Sequence, residues 1–178
     1  MKGKRITACL LALFIVISSV ATVSASAIGY YAHIDYLGTY DNPDRFELCY
    51  FVGSTFDRLD AETWDLYEKS RSSSEIKWGN TYVSVTGTGS GKITRVCLHS
   101  GDKNYCLGKL CPGLGSSDAM ATISNDNYGF VWDRDLNRNG EDWVIYKNSS
   151  SQRFIAYKLV RGYIDTVYYG MEGYMPFG

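Results

Sequence analysis

Apolar and polar residues alternate through much of the chain beyond residue 27. In Ile28–Leu37, the residues Ile28, Tyr30, Ala32, Ile34 and Tyr36 share one parity, which in a strand places them on one face. Comparable runs, rich in β-branched and aromatic residues and bounded by Gly, Asn, Asp or Ser, predict strands at Phe46–Val52, Thr81–Thr86, Ile93–Leu98, Lys103–Leu107, Tyr128–Asp133, Asp142–Lys147, Arg153–Val160 and Tyr163–Tyr169. Short strands every ~8–12 residues with turn signals between them point to a mainly β chain, an antiparallel sandwich or barrel-like domain.

The helical period is sparse. One short helix is expected near residues 60–70, with Asp60 as cap, Ala61, Trp64 and Tyr67 on one side, and Asp65 and Lys69 as an i, i+4 ion pair. Arg71–Ser74 would end it. A second helix is expected from Ser116-Ser117-Asp118 to about Ile123. Gly87–Gly91 joins two strands and lacks the Lys-Ser/Thr ending of a phosphate loop.

The first 27 residues follow a different pattern. Lys2, Lys4 and Arg5 precede an apolar run from Leu10 to Val20, and Ala25-Ser26-Ala27 fits a small-x-small cleavage site. These are the marks of a secretory signal peptide, and the run is short for a membrane span. The expected organisation is a signal peptide at 1–27 and a single secreted β-rich domain at 28–178, with no membrane association once the signal is cleaved.

Charge narrows the partners. The 178 residues carry 18 Lys+Arg and 19 Asp+Glu, a formal net charge of −1. Losing Lys2, Lys4 and Arg5 takes it to −4. A near-neutral to acidic chain lacks the basic surface that nucleic-acid binding needs, so no nucleic-acid partner is expected.

Beyond the leader lie Cys49, Cys97, Cys106 and Cys111. An even number in an exported chain suggests two disulfides. Gly101-Asp102 resembles a two-residue hairpin loop, which would set Cys97 opposite Cys106 in a non-hydrogen-bonded pair and leave Cys49 with Cys111. No CxxC spacing supports zinc.

Candidate chemistry is thin. His33 and His99 are the two histidines, and no GxSxG elbow accompanies them. The local carboxylate pairs Asp57/Asp60, Glu62/Asp65, Asp133/Asp135 and Glu141/Asp142 would serve a hydrolase only if two faced one another across a cleft. The segment from Asp133 to Asp142 is dense in side-chain oxygens. A four-residue loop, Asn137–Gly140, would oppose Asp135 and Asp142, and a calcium ion held by Asp135, Asn137, Asn139 and Asp142 would relieve their repulsion. A two-residue Asn139-Gly140 loop is the rival and needs no ion. No EF-hand is completed: counted from Asp135 the bidentate-Glu position holds Tyr146, and counted from Asp133 it holds Val144.

Fifteen Tyr, 7 Phe and 4 Trp remain to be explained. Aromatic rings fill β cores, but Tyr and Trp also form flat faces for sugars and anchors for protein partners. The sequence therefore points to a secreted binding module, first for a glycan or cell-wall polymer and next for an extracellular protein partner. The alternatives are an extracellular hydrolase using paired carboxylates, or a secreted effector or toxin acting on a protein partner. Calcium is the one cofactor to consider.

Overall fold

Strands form where alternation is strongest, and the sheet they build is larger than any single run suggests. The computed structural model describes residues 45–125 and 129–177. The expected signal peptide, the expected strand at Ile28–Leu37 and His33 lie outside the described residues. The elements are β1 (Phe46–Glu47), α1 (Phe56–Glu62), β2 (Tyr67–Arg71), β3 (Glu75–Gly79), β4 (Val83–Thr88), β5 (Ile93–Leu98), β6 (Tyr105–Cys106), α2 (Ser116–Asn125), β7 (Val131–Arg138), β8 (Glu141–Asn148), β9 (Arg153–Val160) and β10 (Tyr163–Met171). Short 3-10 turns cover Cys49–Phe51 and Glu172–Tyr174.

Eight strands join in one sheet in the order β2-β3-β4-β5-β10-β9-β8-β7, and β1 and β6 form a separate two-stranded ladder. Every pairing in the large sheet is antiparallel; β1 and β6 run parallel. The chain is thus mainly β and antiparallel, with a short helix, as its alternation implies.

Strands β8 to β10 are buried on both faces because both parities are apolar. Val144, Tyr146, Ile155, Tyr157, Val167 and Tyr169 face a core shared with α1 and α2, whose Phe56, Leu59, Ala119 and Ile123 enter it. Trp143, Ile145, Phe154 and Ala156 occupy the other face. There the segment after β10 covers them, with Phe177 4.7 Å from the Trp143 ring centre and Met175 beside it. Arg138 and Arg95 fasten that segment by donating to the carbonyls of Pro176 (3.1 Å) and Tyr174 (3.0 Å). Each large apolar side chain so covered contributes ~1.5–3 kcal/mol.

Four expectations are corrected. The helix lies at Phe56–Glu62, earlier than residues 60–70, because Phe56 and Leu59 supply the buried i, i+3 pair. Thr63 ends it: its backbone N–H and its hydroxyl both bond the Leu59 carbonyl, at 2.9 and 2.7 Å. Residues 67–71, expected to be the end of that helix and the start of its loop, form β2, an edge strand exposed at all five positions and therefore without alternation to read. The Phe46–Val52 strand shortens to two residues before the 3-10 turn.

The Gly101-Asp102 hairpin does not form. Both edges of β5 are already occupied, Cys97 lying opposite Ser84 of β4 and Tyr168 of β10. The chain after β5 instead turns on the Asp102 carboxylate, which accepts the Tyr105 N–H at 3.1 Å, and β6 joins β1. Cys97 and Cys106 are therefore not cross-strand partners, and no disulfide joins the described cysteines.

Both ends of the sheet order are irregular. A register shift interrupts the β2–β3 pairing between Glu68 and Ser70, and another interrupts β7–β8 between Trp132 and Arg134. Such bulges twist an edge away from further pairing.

Candidate functional site

The most exposed large apolar side chain among the described residues is Trp64, at 91%. It follows α1, and its neighbours are fixed. Thr63 and Leu66 are buried. The Asp65 carboxylate accepts the Asn80 amide N–H at 3.1 Å through one oxygen and the Tyr105 hydroxyl through the other. Trp64 thus projects from a backbone held on both sides, so a ligand landing on it has to order the indole but not the chain that carries it.

Two more exposed rings lie on segments tied to this one. Tyr67, 55% exposed, begins β2 opposite Gly79. Gly79 closes against the Val83 carbonyl so tightly that a Cβ there would lie 1.9 Å from the oxygen, which requires glycine. Asn80 then accepts the backbone N–H groups of Tyr82 (2.8 Å) and Val83 (2.9 Å) on its side-chain oxygen. That turn presents Tyr82, 44% exposed, with its ring lying on Gly101. Lys69 donates to the Tyr67 hydroxyl at 2.6 Å and lies 4.0 Å from its ring centre. The result is that the segments carrying Trp64, Tyr67 and Tyr82 are held together by the Asp65–Asn80 pair and the β2–β3 pairing, with Lys69 beside Tyr67.

Sequence reasoning used Trp64, Asp65 and Tyr67 as helix residues and missed this grouping. Asn80-Thr-Tyr82, a turn signal beside an aromatic residue, was the available clue.

The acidic hairpin adopts the two-residue turn. Asn139 and Gly140 have φ of +55° and +80°, the signature of a type I′ turn. Arg138 faces Glu141, Asn137 faces Asp142 and Asp135 faces Val144. The expected opposition of Asp135 and Asp142 is thereby corrected. The bulge at Asp133 explains how this turn coexists with the apolar pairing of the far end, since it absorbs one residue and lets Trp132 face Tyr146. The oxygens proposed for calcium have local uses: Asp142 accepts the Asn137 amide at 2.8 Å and Asp135 accepts the Trp132 indole N–H at 3.1 Å. Among the described residues no group of three or more His, Cys, Asp or Glu is placed to hold a metal ion.

The carboxylate pairs are likewise dispersed among their own partners. Glu62 pairs with Arg58, Asp133 with Lys147 and Arg134, and Glu141 with Lys158. Asp57 and Asp60 lie exposed on α1.

His99 does meet a cysteine. Its Nε2 is 3.5 Å from the Cys97 sulfur. Burial pushes the Cys97 thiol up to about 12, against a hydrogen bond from Tyr168 and the pull of Arg95. Burial also lowers His99, with Asp165 opposing. A thiol so placed stays protonated at neutral pH and is a poor nucleophile.

The carboxylate the sequence did not single out is Glu47, which is buried. One oxygen accepts the N–H of Cys49 and of Gly108, both at 2.9 Å, and the other accepts Lys109 N–H at 3.0 Å and lies 3.4 Å from the Cys106 sulfur. Nothing about this saturated group leaves room for a substrate; it ties β1 to the turn after β6. Against known proteins the chain stands apart: no protein-family model, no curated protein and no solved structure matches it.

Proposed function

We propose that this chain is a secreted module that binds a glycan or cell-wall polymer, gripping it with Trp64, Tyr67 and Tyr82. The observation that carries the reading is the exposure of Trp64 next to the hydrogen-bonded Asp65, with Tyr67 and Tyr82 exposed on the segments tied to it. A sugar ring offers flat C–H surface to an aromatic face and hydroxyls to its border. Asp65, Asn80 and Lys69 supply polar groups at that border. The mixture favours a hydroxyl-rich ligand over the drier centre of a protein interface, where charged residues are depleted. Secretion belongs to the same proposal and rests on the charged start, the apolar run and the Ala25-Ser26-Ala27 site.

A glycan array probed with the mature protein, in calcium and in chelator, tests the reading. Binding to one polymer class is expected, weakened about tenfold or more in Trp64→Ala, the loss of one stacked ring at ~1.4 kcal/mol. An array without a signal, or a signal that Trp64→Ala leaves unchanged, would remove it. Shortening of the bound polymer would support the hydrolase alternative instead.

A further inference from the structure

The geometry of the four cysteines differs from the one expected, and it selects a pair. Leu107 and Leu110 exchange both backbone hydrogen bonds, Leu107 N–H to Leu110 O at 2.9 Å and Leu110 N–H to Leu107 O at 3.1 Å. They form an antiparallel bridge. Between them Gly108 and Lys109 have φ of +59° and +64°, the two left-handed residues of a type I′ turn. Pairs alternate outward from such a turn. The next pair, Cys106 and Cys111, is therefore non-hydrogen-bonded, with Cα atoms ~4.5 Å apart and side chains on a common face. That separation lies within the range a disulfide spans.

The turn is also held in place. Glu47 accepts the N–H of both Gly108 and Lys109, so the two sides of the hairpin are fixed to β1 and not only to each other. Both cysteines are buried.

We propose that Cys106 and Cys111 are the pair this fold closes into a disulfide, with Cys49 and Cys97 left as thiols. Cys97 is set apart on β5, between Ser84 and Tyr168 and against His99. Cys49 lies in the 3-10 turn after β1, with its N–H committed to Glu47 and no cross-strand register toward another cysteine.

The chemistry balances with a small-molecule disulfide as oxidant. The thiolate of one cysteine attacks it, forming a mixed disulfide and releasing one thiol. The second cysteine attacks that mixed disulfide, forming the Cys106–Cys111 bond and releasing a second thiol. The oxidant gains the two electrons and two protons that the cysteines lose.

Lys109 separates the two cysteines, which makes the test direct. The full-length chain carrying Cys9→Ser, which leaves the four cysteines named above, is folded, reduced, incubated with oxidised glutathione, alkylated, and digested with trypsin without reduction. The four cysteines fall in four different tryptic peptides, residues 46–58, 96–103, 104–109 and 110–134. The expected product is 104–109 joined to 110–134, with the other two peptides alkylated. The same link is expected in Cys49→Ser, which shows that Cys49 is not an obligatory intermediate. A predominant link to 46–58 or 96–103, or alkylation of all four cysteines after oxidation, overturns the assignment.

Discussion

Asp65→Asn tests whether the base of the aromatic surface is built by the hydrogen-bond polarity described above. Asp65 receives two donors, the Asn80 amide and the Tyr105 hydroxyl. An asparagine keeps one acceptor for Tyr105 but turns its own NH2 toward the Asn80 NH2. Asn80 cannot flip to answer, because its oxygen already holds the Tyr82 and Val83 N–H groups. One charge-assisted bond at ~1.5–3 kcal/mol is lost and the other weakens by ~1 kcal/mol. Solvent reaches half-buried Asp65, so a net loss of about 2 kcal/mol is expected. Asn80→Asp alone sets two carboxylates together and costs a similar amount. The double variant Asp65→Asn, Asn80→Asp exchanges donor for acceptor. Its carboxylate, now at position 80, still accepts both backbone N–H groups and also accepts the amide introduced at position 65. Urea unfolding of the four proteins should place the double variant within about 1 kcal/mol of the parent, a coupling of roughly 3–4 kcal/mol. A double variant as unstable as the two single losses added together would refute the bonding scheme.

Three further outcomes are expected. Glu47→Ala strands the N–H groups of Cys49, Gly108 and Lys109, and at ~1–3 kcal/mol each should cost about 4 kcal/mol or more in urea unfolding; a loss under about 1 kcal/mol would show that water replaces the carboxylate. Cys97, pushed up to about 12, should alkylate about 10³-fold more slowly at pH 8 in the folded protein than in the unfolded chain, from its thiolate fraction alone, and rates within tenfold of each other would contradict its burial. His99 is lowered by burial, so between its folded and unfolded pKa values the unfolded chain binds more protons, and stability falls as pH drops from about 6.5 through the folded pKa; His99→Gln should flatten that part of the pH–stability curve, and an unchanged slope would exclude His99 as its source.

The sheet was legible in the sequence where burial made the two faces differ or made both apolar. Ile93–Leu98 and Arg153–Val160 form with the expected bounds. Edge strand β2 was not, since Tyr67–Arg71 buries nothing and so carries no pattern. Local turn chemistry misled at Gly101-Asp102 because it says nothing about whether a strand's other edge is free; β5 had already paired with β4 and β10. The same chemistry was correct at Asn139-Gly140, where the missing fact was a one-residue bulge at Asp133. The aromatic site joins residues from after α1, β2 and the β3–β4 turn, and such a grouping depends on register, which alternation alone does not supply.

The irregular edge at β7 carries one more implication. Its outward backbone could template a second copy of the chain, and a two-fold antiparallel pairing would bring equivalent residues together. Opposite residues in such a ladder point to one face, so the residue on the symmetry axis meets itself. An axis at Asp133, Arg134 or Asp135 sets like charge directly on like charge, and an axis at Leu136 sets Arg134 against Arg138. The four most overlapping ways for β7 to join its own copy are each penalised electrostatically. The charge pattern thus acts against self-pairing in addition to the bulge, which already twists this edge away from any further strand.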